Sequence, residues 1–442
     1  VESGKGSVAA EAALNTPIFP LLGVKPRSPF YRLRVALTSL KPESRSMHLA
    51  IVTPYPPRVI GIGQYGYHVS QALVETGAFD RITLLTERAP GAPHRDRRSC
   101  LAIERIWQHD SIEAGLRIVT RLRTLDPDVV WYNLGASVFG RSPQANLSGL
   151  LSPLFTHQLE IPSVVTMHEA IERVDFEALG LSNGPITMLG AKLITFLMLQ
   201  ADVTCVTLGC HADWLGPRHP DQRLMHIPHS AFDLPRMLPS SNRFELLHFG
   251  SQAPFKGLDL LLRAFPDLHA EWPELQLTVA GAEHPRFPGY QAALRREFGH
   301  HPAIRWQGFV PTPELAELFG RATIVVLPYL ATTGSSSVLC RAATWGRPVV
   351  ASDLAEMEAI AQESGFRVTF FRSGDGDDLT RALRRLLTNP DLRADQARHN
   401  LDAIDETRLE KACWSYIRAF NLALASQAVE SRIPLTAVEE AT

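Results

Sequence analysis

Residues 322–352 read ATIVVLPYLATTGSSSVLCRAATWGRPVVAS. An apolar strand, Ala322 to Leu327, runs into a loop of small residues. The loop opens a helix near Ser336. The helix stops at Gly346-Arg347-Pro348 before a second apolar strand, Pro348 to Ala351. Strand, loop, helix and strand in that order describe a parallel α/β unit. Gly334, Ser335, Ser336 and Ser337 place N–H groups and hydroxyls at the positive end of the helix dipole, which makes an anion site.

Working outward, the same alternation recurs on both sides. Leu49 to Thr53 predicts a strand, followed by a loop to Gly63 and a helix from about Gln64 to Thr76. Further strand-like runs lie at Arg81–Thr86, Val129–Tyr132, Ser163–Met167 and Val203–Thr207. After a Pro- and Ser-rich stretch, 231–242, the pattern restarts with Phe244–Phe249, a loop, and a helix from Gly257 to Phe265. Leu275–Ala280, Ile304–Trp306, Thr323–Leu327 and Pro348–Ala351 continue it. The predicted fold is two tandem Rossmann-like, doubly wound α/β domains facing a central cleft, with a helix after the second. The expected divisions are an extension at 1–46, a first domain at 47–235, a second at 236–407, and a terminal helix and tail at 408–442. Residues 1–46 lack sustained periodicity and predict a disordered extension or a misassigned start.

Composition excludes several classes. The chain has 442 residues, of which 45% are hydrophobic and 20% charged, and a net charge of −2. That balance carries no basic footprint for nucleic acid. Five scattered cysteines, Cys100, Cys205, Cys210, Cys340 and Cys413, read as reduced thiols in a cytoplasm. The longest apolar run, Ile186 to Val206, is interrupted by Lys192, Gln200 and Asp202 and reads as a buried helix followed by a strand. The expected location is cytoplasmic, with a peripheral position at the inner membrane face left open.

Each domain opens on a strand, a glycine loop and a helix. In the first the loop carries Gly61 and Gly63; in the second it runs from Gly250 to Gly257 and contains Lys256. Neither has the spacing of a dinucleotide fingerprint or a Walker loop. Such units place a cleft beyond the carboxyl ends of both sheets, where open α/β folds bind ligands.

The series PYPPRVIGIGQYGYHVSQAL, VVTMHE, MHIPHSAFD, HFGSQAPFKGLDLLLRAF, LTVAGAEHP, IRWQGFVPTPELAELFGRATIVVLPY, the serine loop and GRPVVAS resembles, in order, the family 4 glycosyltransferases. The resemblance covers Met47 to about Ala425. It implies the two-Rossmann GT-B architecture and retaining, metal-independent transfer of a hexose from a nucleotide sugar (UDP, GDP or ADP). The acceptor it implies is a glycan, lipid-linked or small-molecule one. No cofactor is expected, because the nucleotide sugar is a co-substrate.

By resemblance, His168 and Lys256 are the catalytic candidates. Lys256 would neutralise the departing diphosphate, and His168 would hydrogen-bond sugar hydroxyls. Gly250, Ser251, Lys256, Gly308, Thr333, Gly334, Ser335, Ser336, Ser337 and Arg341 would line the donor site. Gly61, Gly63 and Glu169 would serve the acceptor side or the phosphate loop.

The chain departs from the family where two glutamates usually stand eight positions apart, since Thr333 and Arg341 occupy those places. An arginine cannot accept hydrogen bonds from a ribose diol. It would instead face a phosphate, or pair with Asp353 or Glu356. Ser251, or alternatively Ala253, stands near where the family has an arginine, and both are uncharged. These departures motivate a second reading, a non-catalytic relative acting as binding or scaffold partner. Asp375, Asp377 and Asp378 look like a metal-binding Asp-x-Asp but precede a helix, so they read as a turn and N-cap with no metal expected.

Overall fold

The computed structural model describes residues 46–58, 60–98, 100–238, 244–405 and 407–430. The expected extension up to residue 45 and the tail beyond residue 430 lie outside the described residues.

Two sheets carry the fold. The first comprises β1 (His48–Val52), β2 (Arg81–Glu87), β3 (Arg95–Arg98), β4 (Leu101–Trp107), β5 (Val129–Leu134), β6 (Ser163–Met167), β7 (Val203–Val206) and β8 (Leu224–His226). Their order is β3-β4-β2-β1-β5-β6-β7-β8, parallel except for β3. The second comprises β9 (Glu245–Phe249), β10 (Gln276–Ala280), β11 (Ile304–Gln307), β12 (Ile324–Leu327), β13 (Val349–Ser352) and β14 (Thr369–Phe371). It is parallel throughout, in the order β11-β10-β9-β12-β13-β14. The central strands are buried on both faces: all residues of β1, β5, β12 and β13 are buried. Helices on both sides cause that burial, and near-continuous apolar runs are its sequence signature.

Strand order sets the position of the cleft. In the first sheet the chain winds one way from β1 and the other way from β5, so the switch falls between β1 and β5. In the second it falls between β9 and β12. At such points the loops diverge and leave a crevice at the carboxyl ends of the strands.

Four strands escaped the sequence reading. The β3 segment is charged (RDRR) and pairs antiparallel at an edge. Within β4, Glu104 and Arg105 interrupt the apolar pattern, yet both are buried; Glu104 is held by Arg121 at 2.6 and 2.7 Å. The strands β8 and β14 span three residues each, too short to show a period.

The first helix begins earlier than its sequence suggests, running Gly61–Thr76, so Gly61 and Gly63 sit in its first turn and not in a preceding loop. The close approach falls on Gly66. A Cβ there would lie 2.3 Å from Thr53 Oγ1 and 2.9 Å from Asn133 Nδ2, whereas one on Gly61 meets nothing within 4 Å.

The terminal helix Leu409–Glu430 does not stay with the second domain. Its Cys413, Tyr416 and Phe420 are buried in one cluster with Leu49, Trp131 and Val164 of the first sheet. The Tyr416 hydroxyl meets Tyr65 and Thr166, each at 2.9 Å.

The run Ile186–Val206 does form a helix, Pro185–Met198, followed by β7, but the helix is not buried. Ala191, Leu197 and Met198 face inward, while Ile186 is 87% exposed and Leu189 69%.

Candidate functional site

The second switch point collects the expected donor residues. The loop after β9 carries Gly250, Ser251 and Lys256, and the loop after β12 carries Tyr329, Thr333 and Gly334. Gly257 lets these loops meet. Its φ is +63°, and a Cβ would stand 1.8 Å from the Pro328 carbonyl oxygen, so only glycine fits. This contact holds Lys256 beside the second loop.

Lys256 Nζ lies 3.7 Å from the centre of the Tyr329 ring and 5.5 Å from that of Phe255. Burial lowers its pKa from 10.5 to about 8, and among the described residues no carboxylate offsets that. An ammonium on aromatic faces with no counter-ion is a ready anion ligand. Tyr329 in turn hydrogen-bonds Ser336. It thereby joins the lysine to the serine loop, a role the sequence did not reveal.

The three serines have different duties. Ser336 caps the helix Ser337–Thr344, its Oγ accepting from Leu339 N at 3.4 Å. Ser335 turns to the first domain and donates to Thr207 Oγ1 at 2.8 Å. Ser337 is the first helical residue and is half-buried. The N–H groups of this first turn have no intrahelical partner. Thr333 is half-buried in the same loop, while Ser251 and Gly308 are exposed on the rim.

Gly334 brings the domains together. A Cβ on it would lie 2.0 Å from the His168 carbonyl oxygen. The structure therefore places His168, after β6, directly against the serine loop. His168 Nε2 lies 2.6 Å from Asn133 Oδ1. Both Asn133 amide protons are used, toward Thr53 Oγ1 at 2.8 Å and the Ile62 carbonyl at 2.9 Å. The Asn133 oxygen must then accept, so His168 carries its proton on Nε2 and keeps an acceptor lone pair on Nδ1. Burial lowers the His168 pKa to about 3, so the ring is neutral at working pH. The Tyr65 ring braces it edge-on at 4.9 Å. Asn133, fully buried at the end of β5, is a positioning residue that sequence reading missed, since nothing local marks it. Glu169 follows His168; burial raises its carboxyl, partly offset by a hydrogen bond from the Ala136 backbone.

Arg341 is held differently from either expectation. It is 9% exposed and pairs with neither Asp353 nor Glu356. Its Nη1 lies 3.6 Å from Asp233 Oδ2, in the segment joining the domains, and its guanidinium sits 5.6 Å from the Phe232 ring. Burial lowers its pKa and raises that of Asp233; each charge opposes the other's shift. Because this pair spans the interdomain segment, Arg341→Glu sets two carboxylates together in a buried place. We expect it to destabilise the fold by about 3 kcal/mol or more, readable as a lower urea midpoint. An unchanged midpoint would contradict the pairing.

The Asp375–Asp378 segment behaves as a cap. Asp375 accepts from Asp378 N at 2.9 Å, and Asp378 accepts from Arg372 N at 2.7 Å and from Arg381 at 2.9 Å. These bonds occupy the carboxylates, so chelator should leave turnover intact. Loss of activity in EDTA, restored by Mn²⁺ or Mg²⁺, would overturn this assignment.

Comparison with known proteins finds matches in the second domain. Residues 243–389 match the family described as glycosyl transferases group 1. A phosphatidyl-myo-inositol mannosyltransferase of Propionibacterium freudenreichii is 29% identical over 147 residues, 33% of this chain and 35% of that protein. A GDP-mannose:glycolipid 4-β-D-mannosyltransferase of Xanthomonas campestris is 32% identical over 133 residues, 30% of this chain and 37% of that protein. The matches thus span little more than a third of these relatives. Among solved structures, sucrose-phosphate synthase from Thermosynechococcus elongatus superimposes with a TM-score of 0.67 at 14% identity, covering 86% of this chain and all of that one. Anabaena HepE in complex with UDP-glucose gives 0.62 at 14% identity, covering 86% and 100%. At such identity the likeness concerns the fold, and it extends the two-domain GT-B architecture over the chain. The family match is thus to the group 1 glycosyl transferases and is confined to residues 243–389.

Proposed function

We propose that the protein is a retaining glycosyltransferase that moves a hexose from a nucleotide sugar to an acceptor hydroxyl without a metal ion. One observation carries this reading. Lys256 lies on the Tyr329 ring of the loop after β12, and Gly334 of the same loop, just before the helix start at Ser337, abuts the His168 carbonyl oxygen. When the bond between the anomeric carbon and the diphosphate breaks, negative charge grows on the leaving oxygens. Lys256 and the first-turn N–H groups would stabilise that charge in place of a metal. His168 Nδ1 would accept a hydrogen bond from a sugar hydroxyl and orient the ring. The acceptor oxygen then takes the anomeric carbon.

The mannosyltransferase names among the relatives favour GDP-mannose as the first donor to try. Titration calorimetry with GDP-mannose, UDP-glucose and ADP-glucose tests the proposal, and saturable binding of one donor is expected. A specific observation favours the second reading, a non-catalytic binding partner: Arg341 is engaged by Asp233 where the family resemblance expects a ribose ligand. That reading predicts heat from none of the three donors.

A further inference from the structure

The residues after β7, at 207–210, are gripped by the second domain. Thr207 Oγ1 accepts the Ser335 hydroxyl at 2.8 Å. Leu208 is 2% exposed and lies in one cluster with Leu339 and Ile360, against which Cys210 also packs. The backbone N–H groups of Gly209 and Cys210 donate to the two carboxylate oxygens of Glu363, at 2.8 and 3.0 Å. Glu363 stands near the end of the second-domain helix Ala355–Ser364. Its Oε2 also lies 3.3 Å from His226 Nε2, at the end of β8.

That carboxylate supplies what the first domain lacks. The helix Gly209–Leu215 begins at these two N–H groups, which have no acceptor within the helix. Its N-cap position holds Leu208, which makes no capping bond, and its first turn carries no acid. Ser, Thr, Asp or Asn would ordinarily stand there. Here the leucine is drawn into the core of the second domain, and the capping oxygens come from that same domain. A carboxylate on N–H groups at the positive end of a helix makes charge-assisted bonds.

We propose that Glu363 is a positioning residue that caps this helix from across the domain seam and so holds Thr207 in register with the serine loop. Without Glu363, the two N–H groups are better served by water, which reaches them when the seam parts. The link to turnover rests on the transferase reading; the seam itself does not.

Cys210 is a natural probe of that seam, and Cys100 is its control. Both are half-buried, but Cys100 lies between β3 and β4, at the opposite edge of the first sheet. Labelling of the full chain by N-ethylmaleimide is followed by peptide mass in Glu363→Ala and Glu363→Gln. Burial and the Glu363 charge both raise the Cys210 thiol pKa. Both variants remove that charge, so the difference between them reports the cap alone. Glutamine keeps an oxygen for the N–H groups and alanine does not. Cys210 should therefore label about fivefold faster in Glu363→Ala than in Glu363→Gln, with Cys100 unchanged. Should Glu363→Ala melt early, Glu363→Ser, also too short to reach, carries the same comparison. With a donor that binds in calorimetry, turnover should fall by about tenfold in Glu363→Ala, because a slipped seam misplaces the reacting groups. The donor dissociation constant should stay within about twofold, and Glu363→Gln should recover most of the turnover. Equal Cys210 rates in the two variants, a matching rise at Cys100, or parental turnover in Glu363→Ala would overturn the proposal. Absence of donor binding removes the transferase reading and leaves the labelling result to decide the seam.

Discussion

Lys256→Ala should reduce donor turnover by about 10²-fold or more, because it removes a buried ammonium held on aromatic rings beside the loop after β12. The fold should barely notice. A lysine whose pKa is lowered by burial is disfavoured in its charged form, so losing it costs packing on Tyr329 but no ion pair. The same shift gives a pH signature. Below about 8 the ammonium is charged in the folded protein and donor affinity should be level; above about 8 it should fall as the proton leaves. Lys256→Arg should flatten that decline. The sign for stability is opposite. Between about 8 and the ordinary 10.5 the unfolded chain holds the proton more firmly, so this residue's contribution to stability rises with pH. His168, neutral above about 3, should add no limb between pH 5 and 8. Full turnover in Lys256→Ala would remove the lysine from the site.

Gly334→Ala should be nearly as damaging for a different reason. The added methyl would lie 2.0 Å from the His168 carbonyl oxygen, and a backbone atom cannot swing away as a side-chain tip would. The φ of Gly334 is not in the left-handed region, so alanine suits the loop itself. The conflict lies only between the domains. We expect each domain to fold, the melting temperature to shift little, and turnover to drop by about 10²-fold, the usual cost of misplacing reacting groups by about 1 Å. Donor binding should survive better than turnover, because Lys256 and the loop after β9 are untouched. Parental turnover in Gly334→Ala would show that transfer does not require the serine loop to close on His168.

Features written in contiguous residues were legible from sequence. The switch-point loops, the lysine of FKGL and the cap at Ser336 are local, because strand period, glycine turns and helix caps act over a few residues. The Asp375 cap was legible for the same reason.

What tertiary structure alone decided joins residues far apart. Asn133 sets the tautomer of His168 across 35 positions, and Tyr65 meets Tyr416 across 351. Arg341 found Asp233 and not the acids nearer in sequence, because the segment linking the domains folds over its helix. The helix Pro185–Met198 looked buried since composition measures how apolar a segment is, not whether a second layer covers it. The terminal helix follows the second domain in sequence but packs on the first sheet, where Leu49, Trp131 and Val164 offer it an apolar face. Sequence determined which elements form and which residues can carry charge to the cleft. Only packing between the domains decided which of them meet, since that depends on surfaces no single segment contains.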